Sequence, residues 1–346
     1  MLARIQECIL YRGFSDGEIL NNMAELINLY ESDEEALKAK EDQFFKSING
    51  LVELAGMYGF SGNIWHTYLT FLLVNHENAF SMASEIRGAI KGSINDLAKN
   101  DFRTKYAGSY LGIIWAFIQP VVTVLVYWFV FEVGFRAGEN TLPVPFVLYL
   151  IAGIVPWFFF QDGLIGGTNS MLEYSYLVKK VVFQISVLPV VKIISAVFVH
   201  LFFVLFIIIL YCFYGHFPDL YYLQLFYYTG GLCLLILGLS YMTSSVVIFF
   251  RDLSQMISIA LQIGVWLTPI MWVAEDKLVS YPWLHRLLKL NPVYYVVTGF
   301  RDALIYKHWF WERPLWTLYF WCFTIGALLL GSTVFRRLRV HFADVL

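Results

Sequence analysis

Charge is what this sequence carries least of. Lys, Arg, Asp and Glu make up 14% of its 346 residues, where a soluble domain carries roughly a quarter, so a surface facing water on every side is excluded. Cysteine is scarce as well. Of Cys8, Cys212, Cys233 and Cys322, three lie inside apolar runs and none forms a CxxC, which argues against a disulfide framework or zinc site and for buried small hydrophobes. No GxxxxGK[ST] phosphate cradle occurs, so ATP hydrolysis by that machinery is not expected of this chain, and there is no HExxH or GxSxG. Ionisable groups are also missing from the middle of the long apolar runs, where an ion-driven pump needs them. Glu132, Asp162, Lys192, Arg251 and Asp252 sit at run ends and only His200 lies deeper; a lone His among helices reads as hydrogen-bonded structure rather than as a relay. The opening "MLARIQECILYRGFSDGEILNN" has neither the apolar core nor the cleavage site of a signal peptide, so the first hundred residues are expected in the cytoplasm.

What remains is asymmetric. Residues 1–100 hold 8 Lys and Arg against 14 Asp and Glu, a net of −6, while the other 16 and 12 leave residues 101–346 at +4. An acidic head precedes an apolar body, a prior for separate modules. A helix needs about 20 apolar residues to cross the hydrocarbon core, and six segments qualify: 111–131, 142–161, 193–215, 224–249 within a longer uncharged run, 253–274 and 314–335. Helices are the expected form, because each unpaired backbone group in lipid costs several kcal/mol. Pro120, Pro156 and Pro269 fall inside these spans and predict kinks.

Six crossings place both termini on one side. With the termini inside, Arg87, Lys91, Lys99, Arg103, Lys105, Lys179, Lys180, Arg251, Arg336, Arg337 and Arg339 flank the cytoplasmic face. Arg136 and six charges of a single outer loop at 275–313 lie opposite, a bias that supports this orientation. Before the first span, Ile86, Ile90, Ile94 and Leu97 share one helical face while Arg87, Lys91 and Lys99 occupy others. This pattern predicts an amphipathic helix in the cytoplasmic interface, continued by Arg103, Lys105 and Tyr106, with Gly108 as the turn into the span. An ordinary solvated helix ending in a positive anchor is the alternative. The connection 166–189, polar then basic, reads either as a helix projecting toward a cytoplasmic partner or as a loop with two topology lysines. In the outer loop, two short amphipathic helices are expected on either side of Asn291-Pro292, re-entrant or surface-lying because each is too short to cross. In residues 1–80, Leu20, Met23, Leu26, Ile27 and Tyr30 recur at helical spacing, which predicts a cytoplasmic helical extension. The fold class is thus an all-α membrane protein: an N-terminal helical extension, an interface helix, six transmembrane helices, and short helices before the sixth.

Five separated stretches resemble one family in order. "DFRTKYAGSYLGIIWAFIQPVVTVLVYWFVFEVGF" (101–135) is similar to the opening signature of the membrane (permease) subunit of ABC-2 type exporters. "LVKKVVFQISVLPVV" (177–191), "FFRDLSQMISIALQIGVWLTPIMW" (249–272) and "LNPVYYVVTGFRDAL" (290–304) resemble later parts of it, and the ending "VFRRLRVHFADVL" resembles its polysaccharide branch, which exports O-antigen, capsule or teichoic acid. The resemblance covers residues 84–346. It implies no enzyme but a permease subunit in the cytoplasmic membrane, with cytoplasmic termini. It further implies a homodimer served by two ATP-binding subunits, which carry the ATP and Mg, and a lipid-linked glycan as substrate; no nucleic acid is involved.

By the same resemblance, the segment 86–106 is an interface or gate helix. Arg103, Lys105 and Tyr106 then stand at the substrate entrance, against a lipid-linked pyrophosphate. The coupling segment lies within 168–184, giving Glu173, Tyr174, Lys179 and Lys180 as its contacts with the ATPase subunit, and 281–304 forms the outer gate. A glycan path calls for aromatic faces against sugar C–H groups, and Trp115, Tyr127, Trp128, Trp157, Phe158, Trp266 and Trp272 are its candidates, although membrane proteins concentrate such rings at interfaces whatever they carry. A drug or lipid exporter of the same superfamily is the nearest alternative. An integral-membrane enzyme modifying glycans or lipids is the other.

Overall fold

The computed structural model describes residues 94–106, 110, 112–136, 142–178, 185–274 and 281–345. The expected extension at 1–80, the start of the interface helix at 84–93, Lys179, Lys180 and Gly108 lie outside the described residues. Every described element is helical. We number the main helices α1 (Ile94–Tyr106), α2 (Trp115–Trp128), α3 (Phe146–Glu173), α4 (Val187–Phe213), α5 (Gln224–Val247), α6 (Leu253–Leu267), α7 (Pro282–Leu288), α8 (Pro292–Arg301) and α9 (Pro314–Leu338).

Five helical stretches among the described residues are long and apolar enough to cross a membrane: Gly112–Gly134, Phe146–Glu173, Val187–Phe213, Leu220–Val247 and Pro314–His341. The first includes a turn of 3-10 helix before α2 and a π-helical end, Phe129–Gly134. The step into it is made by Gly112 at φ +53, a left-handed conformation open to glycine. Pro120 and Pro156 sit inside α2 and α3. Pro269 acts differently. The expected run 253–274 is helical only to Leu267, Thr268 turns extended at ψ 127, and the chain folds through a tight turn instead of kinking. Proline has no N–H to give to the ladder, and the residue before it is pushed out of the α region, so the helix ends here. A second departure is at α3, which runs twelve residues past the expected end at 161 and absorbs much of the supposed connection. Gly163, Leu164, Gly167 and Thr168 there are buried against neighbouring helices, and tertiary packing overrides their glycine-rich, polar look.

Between residues 281 and 313 the two short helices expected on either side of Asn291-Pro292 are present. α7 and α8 flank Asn291-Pro292, the Asn291 carboxamide caps α8 through Val293 N–H at 3.0 Å, and proline occupies the first turn of α7, α8 and α9.

α3 is the axis of the packing, touching α2, α4, α5, α6 and α8, while α9 lies along α5. Its core holds Leu148, Leu150, Ala152 and Ile154 at no exposure. Lipid is as apolar as these side chains, so close packing rather than escape from water holds such helices together, and small residues permit it. At the α5–α9 crossing a Cβ on Gly331 would stand 2.1 Å from the carbonyl oxygen of Gly238, and one on Gly238 would stand 2.6 Å from Leu328 N. No side chain fits between these backbones. The outlying helices contrast with this core. Only Ala116 of α2 and Leu261 of α6 are buried, leaving Leu125, Val126, Ile259, Ile263 and Trp266 uncovered by the described residues.

Candidate functional site

A cavity of about 580 Å³ opens between α2, α3, α4 and α6. Its wall gathers Trp115 and Tyr127 from α2, Trp157 and Phe158 from α3, and Trp266 from α6, with the carboxamides of Gln119, Gln161 and Gln262 among them. Lys105, from the end of α1, reaches the same cavity and pairs with Asp162 of α3 at 2.5 Å. Both partners are about two-fifths exposed (40% and 39%), so the pair contributes at most about 1 kcal/mol to stability. Its effect is positional: it ties the last turn of α1 to the cavity wall. Chemically, this is an apolar, ring-faced space with neutral amide donors and acceptors and one ion pair at its edge. Such a lining suits a neutral ligand with both C–H faces and hydroxyls.

The other residues singled out from sequence are placed elsewhere. Trp128 lines a separate groove of about 300 Å³ on another face of α2, beside Glu132 and Tyr214. Trp272 follows the α6 break and donates from its indole to Trp266 O at 3.1 Å. Trp157 is 2% exposed, so most of its ring is core. Arg103 is exposed on α1, and Tyr106 ends that helix, its side chain outside what the structure describes. His200 also touches the cavity, but its ring is buried, stacked on Phe159 at 4.5 Å, with Nε2 3.0 Å from Thr229 Oγ1.

A second cluster sits where α1, α3 and α4 meet. Asp101 is 4% exposed and its Oδ1 accepts from both Lys192 Nζ and the Tyr174 hydroxyl, each at 2.6 Å. Lys192 also bonds Glu173 and stands 5.0 Å from the Tyr174 ring. α1 is therefore not laid on lipid alone. Leu97 and Ala98 pack on Val187, Val191 and Ile194 of α4, and Phe102 meets Phe198 edge-on at 6.1 Å. Burial first, and then the bond to the Asp101 carboxylate, push the Tyr174 phenol well above its ordinary value, so it stays protonated and donating. Sequence reading named Glu173 and Tyr174 here but not Asp101. Lys192 was visible only as a charge at a span end.

A third arrangement closes the opposite end. Arg301, 4% exposed, donates to Pro269 O at 2.6 Å, Ile270 O at 2.7 Å and Tyr149 O at 3.4 Å, and lies 3.6 Å over the Tyr149 ring. The Asn291 carboxamide donates to Thr268 Oγ1 at 2.9 Å. Both ends of α8 are thus fastened to the break after α6. The next residue, Asp302, pairs with Arg313 at 3.0 Å, tying α8 to the start of α9. Nothing in the spacing "TGFRDAL" separates Arg301 from the solvated charges around it. The Thr268-Pro269 break, which frees carbonyls inside an apolar region, was the one available signal.

With this geometry in place, the comparisons with known proteins are specific. The ABC-2 type transporter family model matches residues 94–305, a stretch that runs from α1 through α8 and contains the cavity, the Asp101 cluster and the Arg301 contacts. Two curated relatives, each named O-antigen export system permease protein RfbA, are similar along most of their length. One, from Klebsiella pneumoniae, is 24% identical over 254 residues, covering 72% of this chain and 93% of that protein. The other, from Myxococcus xanthus, is 26% identical over 260 residues, covering 73% and 95%. Family match, helical membrane-spanning architecture and matched length agree: this chain belongs to the ABC-2 type transporter family, as its multi-pass permease subunit.

Proposed function

We propose that this permease exports a lipid-linked polysaccharide across the cytoplasmic membrane, driven by separate subunits that bind ATP and Mg. The observation that carries the reading is the cavity walled by Trp115, Tyr127, Phe158 and Trp266 with three glutamines between the rings, a lining whose chemistry matches sugar rings. The names of the curated relatives support the same cargo class. Lys105 lines the cavity at its α1 end and Arg103 is exposed two residues earlier on the same helix; in this reading the pyrophosphate of a lipid carrier meets their positive charge.

In this reading two copies pair through the uncovered faces of α2 and α6, which buries Leu125, Val126, Ile259 and Ile263 and joins two cavities into one path. α6 with the segment through Ala274 makes the sixth crossing, the break at Thr268-Pro269 being enclosed by protein, as non-helical backbone at membrane depth requires. Both termini then face the cytoplasm. The turn after α3, at Glu173 and Tyr174 and onward through Lys179 and Lys180, meets the ATP-binding subunit, while α7 and α8 close the outer end.

Deletion of the chain tests the cargo. Lipid-linked glycan is quantified on each side of the cytoplasmic membrane in deleted cells and in cells complemented with the intact protein. Accumulation inside, relieved by complementation, is expected. An unchanged glycan distribution would transfer the assignment to a drug or lipid cargo.

A further inference from the structure

The connection after α3 leaves the membrane body at Glu173 and Tyr174 and rejoins it in the first turns of α4, near Lys192. The helix ends on either side of it, Tyr174 just past α3 and Lys192 in the second turn of α4, meet one carboxylate. Asp101 Oδ1 takes the Tyr174 hydroxyl from the departing end and the Lys192 ammonium from the returning end, both at 2.6 Å, and Lys192 closes the ring by bonding Glu173. Asp101 belongs to α1, a different element, and 91 residues separate it from Lys192. The cluster is buried at its centre, with Asp101 4% and Lys192 9% exposed, and opens to solvent through Glu173 at 52%.

Two physical features make this more than a surface network. A charge-assisted bond inside a low-dielectric site holds its geometry far better than an exposed pair does, so Tyr174 and Lys192 cannot shift relative to Asp101 without dragging or breaking the hook. α1 also lies along α4 through an apolar contact that includes Leu97, Ala98 and Phe102, and the buried polar hook adds a directed link to that packing. Asp101 Oδ2 is buried with no partner among the described residues. The carboxylate therefore keeps accepting capacity beyond the two bonds made at Oδ1.

We propose that Asp101, Lys192 and Tyr174 are positioning residues that transmit displacement of the connection after α3 to α1, and through Lys105–Asp162 to the edge of the cavity. The inference rests on the proposed contact between that connection and an ATP-binding subunit, and names the route by which such contact reaches the substrate entrance. Lys105 lies one turn beyond Asp101 on the same helix, so a movement imposed at Asp101 is delivered at the Lys105–Asp162 pair.

The test uses the full complex with its ATP-binding subunit in lipid nanodiscs, Cys8, Cys212, Cys233 and Cys322 being replaced by Ser. A spin label is placed either on α1 through Lys99→Cys or on the connection through Tyr176→Cys, both exposed positions. Spectra are compared without nucleotide and after trapping with ATP and vanadate. Both labels are expected to respond in the otherwise unaltered complex. In Tyr174→Phe and in Asp101→Asn the Tyr176 label still responds while the Lys99 response falls at least about fivefold, the size of an ordinary coupling loss. Lys192→Arg, which keeps the charge, retains the Lys99 response. A Lys99 response unchanged in both Tyr174→Phe and Asp101→Asn overturns the link while leaving the coupling contact intact. A Tyr176 label silent in the unaltered complex removes the coupling contact and the link with it.

Discussion

Arg301 Nη1 donates to the carbonyl oxygen of Pro269 across 2.6 Å and 32 residues of chain. That bond explains how a helix can end inside an apolar body. Once α6 stops at Leu267, the carbonyls of Pro269 and Ile270 have no helical donors, and in lipid each orphan costs several kcal/mol. A guanidinium is suited to the repair, since its planar fork reaches two acceptors at once and its face stacks on Tyr149. α8 is thereby made part of the α6 segment rather than a surface appendage.

Replacing Arg301 with Lys or Gln should therefore destabilise the protein by about 2–4 kcal/mol, because hydrogen bonds to a charged group contribute about 1.5–3 kcal/mol and a desolvated cation–π contact about 2. Thermal unfolding in detergent or nanodiscs measures this. A Cβ on Gly153 would meet Nη2 at 2.7 Å, so Gly153→Ala should lower the midpoint as well. Wild-type midpoints in all three variants would remove Arg301 from its structural role.

At the α5–α9 crossing, Gly331→Leu should separate two backbones that approach too closely for any side chain. Overpacking of this kind costs about 1–3 kcal/mol or more. Loss of monodispersity or of folded yield is the expected outcome, and an undisturbed Gly331→Leu protein would contradict the crossing.

Within the cavity, Trp115→Ala and Trp266→Ala should each reduce surface glycan by roughly threefold to tenfold, as aromatic contacts contribute about 0.5–1.5 kcal/mol beyond their area. Phe226→Ala, at a ring 68% exposed and away from the cavity, serves as the comparison. Equal effects at all three positions would mean that loss of aromatic bulk, not sugar contact, is being read.

The raised Tyr174 phenol carries a pH signature with a definite sign. A group whose folded-state value exceeds its unfolded value of 10.0 contributes stability that is fully present below pH 10 and is lost as pH rises further. The protein should therefore show no Tyr174-dependent change in unfolding midpoint between pH 7 and 9.5. Above pH 10 its stability should fall more steeply than that of Tyr174→Phe. Parallel curves for the two proteins would contradict the buried bond to Asp101.

Much of this architecture is legible in the residues. The apolar runs at 111–131, 193–215 and 314–335 fall on helical stretches, Gly112–Gly134, Val187–Phe213 and Pro314–His341, the second starting six residues before its expected bound and the third ending six after it, because hydropathy and missing charge are properties of a continuous stretch. Asn291-Pro292 announced the α7–α8 junction through cap chemistry that acts over two residues. The lengthening of α3 to Glu173 was hidden: Gly163, Gly166 and Gly167 look like a loop until Ile236, Lys192 and Ser240 are known to press against them.

By itself the sequence determined that the chain enters the membrane, roughly where it crosses, and to which family it belongs, since solvent preference, helix capping and local motifs are written in neighbouring residues. Only the tertiary structure decided which polar groups meet. Asp101 finds Lys192 over 91 residues and Arg301 finds Tyr149 over 152. Such pairs depend on helix crossing positions that small residues and backbone breaks set jointly, and in an apolar medium each buried polar group is held to whatever partner that packing brings within reach.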